Sequence, residues 1–94
     1  MGFASHTPQA GVTSIDSVTS VTQILPANYD RRGFSIYNES TAILYIKFGP
    51  DASSSDYTVP LVASAFYEAP YTYSGIVTGV WASVNGSAKV TEVL

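Results

Sequence analysis

The chain has 94 residues, 46% of them hydrophobic and only 12% charged, with a net charge of −3. That length allows one domain with one modest core, and the apolar content excludes an intrinsically disordered chain. Four basic residues are too few for a phosphate-binding footprint, so no nucleic acid is expected as a partner, and with no cysteine the fold must hold by packing, by partners, or by both.

Residues 1–15 read as an extended N-terminal arm, rich in Ser, Thr, Gly and Ala and without hydrophobic period, with Phe3 and Val12 as its candidate anchors. The first residues contain no basic region followed by an apolar stretch, so they do not read as a signal peptide, and synthesis in the cytoplasm is expected. No apolar run approaches the ~18 residues of a membrane helix, so no membrane is expected as a partner.

Residues 16–94 read as a single β domain. Residues 17–25 are rich in β-branched side chains, as strands are, and Pro26 ends them. A polar connection leads to residues 33–39, where Phe34, Ile36 and Asn38 fall on one face and Ser35, Tyr37 and Glu39 on the other. Residues 43–48 repeat the pattern, with Leu44, Ile46 and Phe48 set against Ile43, Tyr45 and Lys47. The break at residues 39–42 suits a tight hairpin. Residues 49–56 form a Gly-, Ser- and Asp-rich surface loop. A strand at residues 57–62 contains Pro60, which belongs on a sheet edge or at a bulge. A short strand near Tyr67 and a loop holding Tyr71 and Tyr73 follow. Finally, Asn85 and Gly86 separate two strand-like runs, a strong hairpin signal, which pairs Trp81 with Val90 and puts Val77, Trp81, Ala88 and Val90 on one core-facing side. No stretch keeps a helical period. The expected fold is all-β: a small antiparallel β-sandwich or jelly-roll-like barrel of about six to eight strands.

A sandwich with water on both sides should alternate apolar and polar residues along each strand. Two strands do not. If Leu44, Ile46 and Phe48 face the core, Ile43 and Tyr45 point outward; if Val77 and Trp81 face in, Ile76, Val80, Ala82 and Val84 point outward. The pattern suits either a compact barrel with some exposed apolar groups or, the favoured expectation, a second face covered by other copies or a partner.

Catalytic chemistry finds little support. The single histidine, His6, sits in the arm, and the seven acids are scattered and mostly at turns. Zinc lacks cysteine, and Asp51 and Asp56 with nearby carbonyls match no EF-hand spacing, so no cofactor or metal is expected and the chain does not read as an enzyme. Arg31 and Arg32 hold half the positive charge and suit either a turn or docking on a carboxylate-rich neighbour. Tyr71 and Tyr73 suit either packing onto the sandwich or a platform for sugar or protein.

Residues 28–93 carry a resemblance. An Asn and Arg-Arg-Gly opening (Asn28, Arg31, Arg32, Gly33), a strand ending in Asn38 before Ser40 and Thr41, the run Leu44-Tyr45-Ile46-Lys47-Phe48-Gly49, the segment Tyr67-Glu68-Ala69-Pro70-Tyr71 and the stretch from Gly79 through Trp81 to Ala88 resemble small β-sandwich virion proteins of tailed bacteriophages, similar to head decoration (cement) proteins. The resemblance implies a capsid-surface protein that stabilises the head by bridging capsid subunits, with the major capsid protein as partner and a homo-oligomer, by preference a trimer, as the unit. The alternative it leaves open is a receptor- or glycan-binding module of a tail or head fibre. The expected contact residues are Phe3, Val12, Arg31, Arg32, Ile43, Tyr45, Tyr71, Tyr73 and Val80.

Overall fold

The computed structural model describes residues 10–70 and 72–94. They form eight β-strands and no helix: β1 (Ala10–Asp16), β2 (Thr22–Leu25), β3 (Gly33–Asn38), β4 (Leu44–Phe48), β5 (Val59–Leu61), β6 (Phe66–Glu68), β7 (Val77–Trp81) and β8 (Ser87–Val93). One four-stranded sheet, sheet A, has the order β1-β8-β3-β6; the other, sheet B, has the order β2-β7-β4-β5. Every strand pairing is antiparallel. All-β character and the sandwich arrangement are as the sequence predicts.

The alternation within each strand sets the core. Phe34 and Ile36 from sheet A face Leu44, Ile46, Val77 and Trp81 from sheet B, with Ile24, Leu61, Ala88 and Val90 completing the buried set. The inward faces predicted for β3, β4 and the last two strands are therefore observed. Pro60 sits in β5, at the edge of sheet B, where its missing N–H costs no ladder hydrogen bond.

Both predicted hairpins are corrected. β7 and β8 lie in different sheets, so Trp81 and Val90 meet across the core and not across a ladder. A type I′ turn needs positive φ at both central residues. Gly86 has φ +84°, but Asn85 is not in that region. Gly86 serves a close approach: a Cβ there would lie 2.9 Å from the Ser40 Cα. The turn at residues 39–42 likewise passes from sheet A to sheet B, because β3 pairs with β6 and β8 while β4 pairs with β5 and β7. Backbone hydrogen bonds tie these crossovers together, from Ser17 N to Gly86 O (3.0 Å), from Glu39 N to Ser87 O (2.8 Å) and from Ala82 N to Ile43 O (2.9 Å).

The arm reading is corrected from Ala10 onward. Residues 10–15 belong to β1, paired with β8 in unbroken register from Ala10↔Val93 to Asp16↔Ser87. The rest of that segment, with Phe3 and His6, lies outside the described residues.

Two polar hubs close the ends of β3. At one end Asn38, with no exposed surface, donates from Nδ2 to Ala42 O (2.8 Å) and Leu61 O (2.9 Å). Its Oδ1 accepts from Ser40 N (3.1 Å), Ser40 Oγ (2.7 Å) and Trp81 Nε1 (3.3 Å). One amide thus fixes the crossover turn, the end of β5 and the core tryptophan. At the other end Arg31, only 2% exposed, donates to Glu92 Oε2 (2.9 Å), Tyr73 O (2.8 Å), Gly75 O (3.0 Å) and Pro26 O, and its guanidinium lies 5.6 Å from the Phe34 ring centre. Every buried side-chain nitrogen and oxygen among the described residues has a partner, as a low-dielectric interior demands.

Candidate contact surface

Residues directly opposite on antiparallel neighbours share a face. In sheet B, Tyr45 is flanked by Val80 on β7 and Pro60 on β5, and all three point away from the core. By alternation Ile43 joins them at the start of β4. The Tyr57 ring leans on Tyr45 at 5.0 Å between centres, and Val62 follows β5 as a further exposed apolar side chain. The outer face of sheet B is therefore apolar along its middle, and the doubly apolar strands of the sequence are its cause.

The loop of residues 49–56 is folded down against this face. Thr78, outward on β7, donates its hydroxyl to Gly49 O (2.7 Å) and accepts from Ala52 N (3.1 Å), which buries Ala52. Gly49 at φ +142° and Asp51 at φ +63° supply the sharp reversal. Lys47 clamps the far side of the loop through Asp56 (2.6 Å). Between this loop and the turn before β2 lies an open cleft of about 570 Å³, lined by Thr19, Val21, Tyr45, Ser53, Val80 and Ala82 among others. Its lining carries hydroxyls and apolar groups but no carboxylate, amine or imidazole. Such a lining can bury apolar surface and exchange hydrogen bonds; it has no acid–base pair.

Of the predicted contact residues among the described ones, only Ile43, Tyr45 and Val80 are brought together. Val12 is exposed on β1, in the other sheet. Arg32 is exposed and borders a smaller cleft of about 250 Å³ with Ser35 and Glu68. Arg31 is withdrawn from the set, because its side chain is buried and all its bonds are spent inside the fold. Tyr73 stacks on Phe48 (4.9 Å, 20° between planes) and donates its hydroxyl to Ile76 O (2.9 Å), so its ring is a packing element and not a platform. Phe3 and Tyr71 lie outside the described residues. Val21, Tyr57, Pro60 and Ala52 also border this face and were not among the contact residues expected from sequence; the cross-strand register sets Pro60 beside Tyr45, a ring contact brings Tyr57 there, and the cleft brings Val21 and the buried Ala52.

Among the described residues there is no cluster of three or more His, Cys, Asp or Glu able to hold a metal. Asp56 is engaged by Lys47. On the surface of sheet A, a hydrogen bond from Lys89 (2.8 Å) holds the Glu39 carboxyl below its ordinary value.

No family model, curated protein or solved structure matches the chain.

Proposed function

We propose that the chain is a virion structural protein, a decoration protein that seats the outer face of sheet B on a tailed-phage head and stabilises the shell by bridging capsid subunits. The observation that carries this reading is the apolar strip of Ile43, Tyr45, Val80, Pro60 and Tyr57 on a sheet whose other face already fills the core. A strip of this kind is covered in use. The strand orders β1-β8-β3-β6 and β2-β7-β4-β5 support a jelly-roll classification, an architecture common among capsid and lectin domains. The step from a covered face to a phage head rests on the sequence resemblance. A contact of ordinary size buries about 1,600 Å² in total, and attachment of many copies multiplies weak contacts. The fibre or glycan-binding alternative is less favoured, because Tyr73 is packed against Phe48 and cannot serve as a sugar platform.

The test is binding of the purified chain to expanded, DNA-free heads assembled without it. Saturable binding at fixed stoichiometry with raised shell melting temperature is expected, and a Tyr45→Ser, Val80→Ser double variant with unchanged circular dichroism should bind at least about tenfold more weakly. Absence of binding by the native chain would refute the proposal.

A further inference from the structure

A sandwich of two open sheets has four edges, and an open edge is a template for another strand unless it is blunted. Three edges here are blunted. β5 has three residues and carries Pro60. β6 has three residues, ends in Glu68 and is followed two residues later by Pro70. β2 has four residues and an irregular register between Gln23 and Leu25. The fourth edge, β1, has none of these devices: seven residues, Ala-Gly-Val-Thr-Ser-Ile-Asp, without proline, lysine or bulge, in unbroken register with β8. Its outer row of N–H and C=O groups has no strand partner among the described residues.

We infer that β1 is the site at which a second copy of this chain adds, by antiparallel pairing of the two β1 strands about a two-fold axis at Thr13. Three observations select this occupant. The only charge on β1 is Asp16, at its C-terminal end. Antiparallel self-pairing centred on Thr13 sets each Asp16 against Ala10 and keeps the two carboxylates about 20 Å apart, whereas parallel pairing would align them. Centring on Thr13 also overlaps all seven residues and pairs threonine with threonine, a favourable cross-strand match. The flank is open: a Cβ at Gly11 would meet nothing within 4 Å, and six of the seven residues are exposed. The product is one continuous sheet running β6-β3-β8-β1 and back through the second copy, eight strands wide and within the normal range. It is a two-fold unit, where the sequence resemblance leads to a three-fold one, and it does not depend on the contact face of sheet B.

The chain has no cysteine, so single cysteines report the geometry cleanly. Thr13→Cys places two sulfurs across the axis at a separation a disulfide accepts, and Asp16→Cys places them too far apart. Mild oxidation of the full-length variants should give a covalent dimer for Thr13→Cys and none for Asp16→Cys. Sedimentation of the native chain at tens of micromolar should give twice the monomer mass of 10.0 kDa, and Thr13→Lys should weaken the dimer about fivefold by opposing two ammonium groups. A native monomer or trimer, or equal cross-linking at both positions, would overturn the inference. Head binding by a monomeric Thr13→Lys protein would leave the proposed function standing, so the two fail separately.

Discussion

Arg31 and Arg32 are adjacent, equally charged and opposite in consequence. Replacing Arg31 by Ala strips a donor from the carbonyls of Pro26, Tyr73 and Gly75 and removes the cation beside Glu92. A buried acceptor left unmade costs about 1–3 kcal/mol and a broken buried ion pair about 3–5 kcal/mol. Glu92 retains 22% side-chain exposure and can rehydrate, which brings the expected loss to about 3 kcal/mol. A domain of this length has about 5–14 kcal/mol in all, so the melting temperature should fall by about 12–24 °C. Arg32→Ala, at an exposed position, should stay within about 0.5 kcal/mol of the native chain. Arg31→Lys should recover only part of the loss, because one ammonium cannot fork to four acceptors on three segments. Thermal and urea unfolding followed by circular dichroism measure all three. Equal effects at the two arginines, or a fall below about 4 °C for Arg31→Ala, would refute the structural role and return Arg31 to the contact set.

The crossover reading of Gly86 makes a second prediction. Gly86→Ala forces a Cβ to within 2.9 Å of Ser40 Cα and 3.1 Å of Glu39 O at φ +84°, and should cost about 1–3 kcal/mol in urea unfolding, whereas Gly33→Ala, with nothing within 4 Å, should be far milder. In a third, Glu39 has a lowered folded-state pKa through its hydrogen bond to Lys89, so its contribution is fully present above the ordinary value of 4.5 and is lost as pH falls through the lowered value. Melting temperatures of the native chain and Glu39→Gln should therefore differ slightly at pH 7 and converge in acid; a gap that stays constant with pH would contradict it.

The sequence by itself determined the class of fold and most of the core. Alternation in β3 and β4 assigned Phe34, Ile36, Leu44 and Ile46 inward, and all four are buried, because the two-residue period is a property of the strand alone. The same alternation named Tyr45 and Val80 as surplus apolar groups. What the tertiary structure decided is pairing. Of consecutive strands only β4 and β5 are neighbours in a sheet; every other connection among the eight passes from one sheet to the other. A short polar turn with glycine serves a hairpin and a crossover equally well, so residues 39–42 and the pair Asn85 and Gly86 could not announce which they were. Long-range contacts settle it: Asn38 locks one turn to Trp81 and Leu61, and Ser17 holds another through Gly86 and Asn85. Burial of Arg31 is decided the same way, since all its acceptors but Pro26 O lie on segments distant in sequence, and the open edge of β1 exists only because β8 returns beside it.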